Sequence, residues 1–233
     1  MNIQKNNKKN NYLVCAIIPA YNEALTITKV IKKTLAFVDK CVVVNDNSSD
    51  NTSILAKKAG AVVIDNCFNM GTGKAIQVGL KHGLKNGFSH FILLDADGQH
   101  DPKYIKKLLN NLDSDIDLVI ASRYLKNTNH CTSFIRRLGT RLISLMIWWK
   151  YKVKISDPTS GFRCLSKPTV KLILKDCAGI FPDPEILISL IKKKKKIKEV
   201  LVPMKPRRFG TSTISLTKAC YLMAYISFKI IKE

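Results

Sequence analysis

Apolar residues gather in short blocks separated by segments of helical period. Tyr12–Pro19, Lys40–Val44, Ala61–Ile64, Phe91–Leu94 and Asp117–Ala121 are short apolar runs without polar alternation, and Ile197–Val202 is a further short run. Runs of this length predict strands, and the unbroken ones predict strands covered on both faces. Between them, Ala24–Phe37 places Ile27, Val30, Ile31 and Leu35 at helical spacing. Thr52–Ala59, Ala75–Asn86 and Pro102–Leu112 also predict helices, the first entered through the polar capping residues of Asn45–Asp50. Strands alternating with helices predict an α/β domain with a mostly parallel central sheet.

The second half is less regular. Phe134–Lys150, Pro168–Leu174, Pro184–Lys194 and Ile214–Ile231 predict helices, Asp157–Arg163 a turn-rich loop and Pro203–Ser212 a basic loop. The polar stretch Met1–Asn11 has no apolar signal core and is expected to be a disordered basic leader. Residues 12–213 are expected to form one catalytic-sized domain and 214–233 a C-terminal helix, packed or interfacial. No apolar stretch approaches the roughly 20 residues of a membrane-spanning helix.

Charge changes this picture. The net charge is +22, with +4 in residues 1–120 and +18 in residues 121–233, where all seven arginines lie. Such a half attracts phosphates, anionic lipid or nucleic acid. The seven cysteines are scattered with no Cys-x-x-Cys pair, and there are four histidines. That argues for small buried hydrophobes in a reducing compartment, against a disulfide framework or a zinc site.

The chemistry gathers at predicted strand ends. Phe91–Leu94 runs into Asp95-Ala96-Asp97-Gly98-Gln99-His100-Asp101-Pro102. Two carboxylates one residue apart, with Gln99 as a further oxygen donor, form a hard-oxygen site suited to Mg²⁺ or Mn²⁺ that also holds substrate phosphates. Glu23 and Asp46, after the first and second strands, could accept hydrogen bonds from a base or ribose. Gly71-Thr72-Gly73-Lys74 resembles a phosphate cradle without completing a known fingerprint. Sheet packing is the better explanation of its glycines.

Seven stretches in order resemble family 2 glycosyltransferases of the GT-A fold. They are Ile18–Glu23, Val44–Asp50, Asn69–Gly73, Asp95–Pro102, Ala121–Tyr124, Asp157–Arg163 and Arg207–Ser212, spanning roughly residues 12–213. The later ones are similar to dolichyl-phosphate mannose synthases and related polyprenyl-phosphate hexosyltransferases. The resemblance implies a GT-A-type nucleotide-sugar-binding sandwich. In it Pro19, Tyr21, Glu23 and Asp46, with Lys74 and Asp95, meet the donor. Asp95, Asp97 and Gln99 hold the metal, and Arg123, Arg136, Thr140 and Arg207 handle phosphates of acceptor or leaving group. Asp97, Arg123 and Arg207 are the residues expected to matter most for transfer, with Arg136 and Thr140 on the acceptor. Asn45 departs from the family's usual first Asp at that point. Many relatives carry membrane helices after the catalytic domain. None is read here, so attachment to an anionic membrane surface is expected through an interfacial helix, the basic face or an anchoring partner subunit, at the cytoplasmic side.

The expected reaction is inverting transfer of a hexose from GDP-mannose or a UDP-hexose to a polyprenyl or dolichyl phosphate. An acceptor phosphate is already ionised, so the site needs Arg and metal more than a strong base. The alternative is a family 2 enzyme acting on a glycan, protein or small-molecule hydroxyl, with Asp157 or Glu185 as base. A nucleic-acid-binding protein would explain the charge. It would not explain an Asp-x-Asp that repels a polyanion, and no nucleic-acid module accompanies it.

Overall fold

Strand β1 (Val14–Ala20) is the centre of the first half, because an unbroken apolar run can be buried only between two layers. In a computed structural model, which describes residues 12–125, 134–176 and 182–206 with Tyr225 and Phe228, β1 is flanked in parallel by β2 (Lys40–Asn45) and β4 (His90–Leu93). Strand β3 (Val62–Asp65) adds parallel to β2. Parallel neighbours need crossovers, and helices α1 (Ile27–Thr34), α2 (Thr52–Lys58) and α3 (Thr72–Lys85) supply them. Beyond β4 come β6 (Arg163–Ser166), β5 (Leu118–Ser122) and β7 (Ile197–Leu201), giving the order β3-β2-β1-β4-β6-β5-β7. Only β6 runs antiparallel to its neighbours, so the sheet is mostly parallel, as expected.

Adjacent residues of each strand feed opposite cores. Ala16, Ile18, Val43 and Ile92 pack with Ile27 and Ile31 of α1 and with Ile105 and Leu108 of α4 (Ile105–Leu109). Ile17, Val42, Val44 and Phe91 pack on the other face against α3, α5 (Phe134–Tyr151), α6 (Lys167–Asp176) and α7 (Pro182–Lys192). Helix α3 approaches the sheet so closely that a Cβ on Gly79 would stand 2.4 Å from Ile17, and one on Gly83 2.6 Å from Phe91.

Three expectations are corrected. Strand β6 is absent from the sequence reading, which ends a loop at Arg163. Its apolar content is only Cys164-Leu165, and pairing to both β4 and β5 is what makes it a strand. The helix predicted from Pro102 to Leu112 is a 3₁₀ turn at Pro102–Tyr104, capped by Asp101 accepting from the Lys103 N–H, followed by the short α4. Gly71 does not pack on the sheet: it has φ +84° and open space around it, so it is a turn glycine.

Cys15, Cys41 and Cys164 are buried free thiols, in line with the expected role as small hydrophobes. Burial pushes the Cys15 thiol up to about 12, and burial likewise raises those of Cys41 and Cys164. Cys131, Cys177 and Cys220 lie outside the described residues, as do the leader and most of the predicted C-terminal helix. Among the described residues no helix is long and apolar enough to cross a membrane.

Candidate active site

The sheet order turns back on itself between β1 and β4: the chain runs outward from β1 to β3, then returns to the other side of β1. Loops that leave neighbouring parallel strands in opposite senses open a crevice at their carboxyl ends, which is where open α/β sheets bind ligands. The β1 exit carries Tyr21 and Glu23, and the β4 exit carries Asp95, Asp97 and Gln99. The structure therefore brings the two main groups of sequence-predicted residues to one edge.

The donor-side loops are tied to one another. Asn22, in the left-handed region at φ 54°, donates its N–H to Ser48 Oγ at 2.9 Å and accepts from the Ser49 N–H at 2.9 Å. Asp50 accepts from the Ala24 N–H, the Thr52 N–H and the Thr52 hydroxyl. Burial alone would raise its pKa, but these hydrogen bonds outweigh it and hold Asp50 below the usual carboxylate value. Glu23 accepts from the Thr26 hydroxyl at 2.9 Å and receives the first N–H groups of α1 on its carbonyl. Tyr21 stays 42% exposed, an open aromatic face at the lip.

Asp46 has a structural task that the sequence did not reveal. It is 4% exposed, and its carboxylate accepts from Asn66 Nδ2 at 2.8 Å, the Met70 N–H at 3.0 Å and the Gly71 N–H at 2.7 Å. It thereby fixes the 66–71 loop that starts α3, and Lys74 lies exposed in the first turn of that helix. Asn45, the departure from the pattern that the resemblance implies, donates to Asp65 Oδ1 at 2.9 Å, and Asp65 is bridged to Lys57 at 2.9 Å. The negative charge missing at Asn45 thus stands on the adjacent strand end.

The Asp-x-Asp loop is held from three sides. Asp97 accepts the Gln99 N–H at 2.9 Å, closing the turn in which Gly98 takes φ +74°. The Asp95 N–H donates to His100 Nδ1 at 3.2 Å, and the His100 ring stacks on Phe162 with centroids 5.1 Å apart. Gln99 pairs with Lys205 through both backbone and side chain, its Nε2 donating to the Lys205 carbonyl at 3.2 Å. Asp95 and Asp97 are half-buried at the rim, and Gly161 lies directly against the Asp95 carboxylate. Two rim carboxylates and an amide whose nitrogen is already engaged are a donor set that suits a hard cation completing its shell from substrate oxygens. No group of three or more acidic, His or Cys side chains that could hold a metal occurs among the described residues.

Arg123 does not stand open to a ligand as expected. It is 5% exposed and closed by Asp157 through Nε–Oδ2 and Nη2–Oδ1 contacts of 2.6 Å each. Its Nη2 also donates to Thr159 Oγ1 at 3.0 Å, and Thr159 meets Thr140 at 3.2 Å. Thr140 is buried in this network. Glu199 of β7, which the sequence reading passed over, accepts the Ser156 and Asp157 N–H groups at 2.8 and 2.9 Å. Arg163 is wholly buried and donates to the Ser160 and Pro158 carbonyls. Arg123, just after β5, and Arg163, at the start of β6, thus build the 157–163 loop. Asp157, one of the two bases considered for a hydroxyl acceptor, is consumed by Arg123. The other, Glu185, is 3% exposed and accepts from the Tyr225 hydroxyl at 2.6 Å. The side chain of Arg136 and the whole of Arg207 lie outside the described residues. Glu199 carried no sequence signal beyond an acid in a strand, and Thr159 none beyond its place in the Asp157–Arg163 stretch.

Comparison with known proteins bears on the family and the fold. Residues 15–166 match the model of glycosyl transferase family 2. An uncharacterized protein of Methanocaldococcus jannaschii is 35% identical, with 87% of this chain and 93% of that protein covered. The UDP-N-acetylglucosamine–dolichyl-phosphate N-acetylglucosaminyltransferase of Methanococcus voltae is 27% identical, with 83% of this chain and 85% of that one covered. Among solved structures, glucosyl-3-phosphoglycerate synthase from Mycobacterium tuberculosis, in complex with Mn²⁺, UDP-glucose and phosphoglyceric acid, superposes with a TM-score of 0.75 at 18% identity. The match covers 95% of this chain and 80% of that one.

Proposed function

The chain belongs to glycosyl transferase family 2, and from that premise we propose that it transfers one hexose from GDP-mannose or a UDP-hexose to a polyprenyl phosphate. The observation that carries the acceptor assignment is the state of both candidate bases: Asp157 is closed by Arg123, and Glu185 is buried at 3% exposure with Oε1 bonded to the Tyr225 hydroxyl. A hydroxyl acceptor needs a base to take its proton, whereas a phosphate arrives ionised. A relative from Methanococcus voltae is named for a dolichyl-phosphate acceptor, which points the same way.

In this reading the donor base and ribose lie over Tyr21, Pro19 and Glu23, on the loop floor that Asp46 holds in place, with Lys74 reaching the diphosphate. Mg²⁺ or Mn²⁺, held by Asp95 and Asp97 with Gln99, would neutralise the departing nucleoside diphosphate. An acceptor oxygen attacks the anomeric carbon from the opposite side, the bond to the diphosphate breaks, and configuration inverts. Arg136 and Arg207 serve as the cationic contacts to the acceptor phosphate. Arg123 acts one step back, as a positioning residue that sets Thr159 and Thr140 along the acceptor wall.

The acceptor comes from a membrane, and α5 is the element we assign to its surface. Leu138, Leu142, Leu145 and Trp149 are exposed on it, with Arg137, Arg141 and Lys150 alongside. That is the composition of an interfacial helix at an anionic surface, and the side we assign to it is the cytoplasmic one. An anchoring partner subunit would add to this contact.

The test is incubation of the purified protein with Mn²⁺, radiolabelled GDP-mannose, UDP-glucose or UDP-N-acetylglucosamine, and a short polyprenyl phosphate or the matching free polyprenol. Label entering the organic phase only with the phosphate is the expected result. Equal or better use of the alcohol would overturn the acceptor assignment.

A further inference from the structure

A cleft of about 540 Å³ lies between α5, the 154–156 segment and β7, a size at which small ligands are bound. None of the donor or Asp-x-Asp residues lines it. Its apolar wall is Tyr124, Leu125, Leu145 and Trp148, and its cations are Arg137, Arg141 and Lys154. Arg137 and Arg141 are one helical turn apart, where like charges oppose each other at a cost to the helix. Among the described residues, neither they nor Lys154 form an ion pair with a carboxylate; Arg137 instead leans on the Tyr124 ring, 6.0 Å from its centroid. The one acid among the described lining residues, Glu199, already accepts from the Ser156 and Asp157 N–H groups and from the Ser156 hydroxyl. A recess of positive charge therefore opens beside an exposed apolar strip, Leu138, Leu142 and Trp149, on the same helix.

We propose that this cleft binds the phosphate headgroup of an anionic membrane phospholipid, at a site separate from the one that receives the acceptor. The proposal rests on the reading of α5 as membrane-facing. Arginine recognises phosphate by charge-assisted hydrogen bonds, and the chains of such a lipid would leave along the apolar strip. The cleft is also joined to the acceptor wall. Tyr124 carries Arg137 on its ring and Arg123 as well, the latter 5.2 Å from the centroid. Ser144 of the cleft donates to the Thr140 carbonyl at 2.9 Å. A bound headgroup would thus steady the wall that positions the acceptor.

Trp148 reports on the cleft. With Trp149→Phe it is the sole tryptophan of the chain, and its emission can be followed as monomeric dihexanoyl phosphatidylglycerol is added, with no nucleotide sugar present. A saturable change is expected, with dihexanoyl phosphatidylcholine and glycerol 3-phosphate each binding at least about tenfold more weakly. Adding Arg137→Ala and Arg141→Ala should weaken the anionic lipid by about tenfold or more, while Arg137→Lys with Arg141→Lys retains part of the affinity. Lys154→Glu tests the opposite wall should the double alanine variant fail to fold. Equal response to both lipids would overturn the proposal. So would affinity unchanged in the folded cleft variants, or glycerol 3-phosphate binding as tightly as the lipid, which marks a site for free anions. Because no transfer is measured, failure of the sugar-transfer reading would leave this result standing.

Discussion

The carboxylate of Asp95 rests on the α-carbon of Gly161: a methyl group at that position would stand 3.1 Å from each carboxylate oxygen. The Asp-x-Asp loop of the first half and the 157–163 loop of the second half therefore meet at a point where only glycine leaves the acid where it is. Gly161→Ala should push Asp95 aside by a few tenths of an ångström. We expect Mn²⁺ affinity in the presence of GDP or UDP, read by electron paramagnetic resonance, to fall by about tenfold, with the melting temperature nearly unchanged. Unaltered Mn²⁺ binding would mean that Asp95 is not a metal contact.

Asp97 is at the rim, where it accepts the Gln99 N–H within its own turn. Asp97→Ala should abolish sugar transfer while circular dichroism and thermal unfolding remain near those of the parent chain. Chelation by EDTA should do the same, and restored activity on adding Mn²⁺ would complete the test. Full turnover in excess EDTA contradicts a metal requirement.

Asp46 holds the Met70 and Gly71 amides. Asp46→Ala is expected to weaken donor binding by roughly tenfold or more, the loss of a buried charged hydrogen bond. The structure adds a second expectation: hydrogen exchange at Met70 and Gly71 should accelerate even without donor. Weaker binding with unchanged exchange would assign Asp46 to the ligand alone.

Asp157→Asn leaves the Arg123 guanidinium buried without its counter-charge. Breaking such a pair costs about 3–5 kcal/mol, to be read from urea unfolding. Replacing both partners by Leu and Met should recover much of that stability while acceptor use stays impaired. A loss below about 1 kcal/mol in the single variant would show that water reaches the pair.

Asp101 ties the Asp-x-Asp loop to Lys205 at 2.7 Å. Burial alone would raise its pKa, but the hydrogen bonds from Lys205 and the Lys103 N–H and the two lysine charges hold it below the usual value. A carboxyl depressed on folding stabilises above its unfolded pKa, and that contribution is lost as pH falls through the folded value. With Lys205 half exposed the contribution should be on the order of 1 kcal/mol. Asp101→Asn should therefore lower stability at neutral pH and flatten its fall under acid conditions. Identical acid limbs for the two proteins would remove the pair from the account.

What the sequence determined by itself is the part written in local pattern. The buried runs at Tyr12–Pro19, Lys40–Val44 and Phe91–Leu94 named three strands because apolar periodicity is a property of consecutive residues. The acids at their ends marked the crevice because a strand's end follows from its length. Tertiary structure decided the rest. Strand β6 exists because β4 and β5 offer free edges on either side, which nothing within Arg163–Ser166 announces. Asp46 could be read as a pocket residue, but only the fold shows that it holds amides 24 and 25 positions away. Arg123 had the composition of a phosphate ligand. The fold brings Asp157, 34 positions on, against it, and a charge removed from water must be paired. Which arginines are structural and which remain open to a ligand is set by those long-range contacts, as half-buried Arg137 and exposed Arg141 show from the other side.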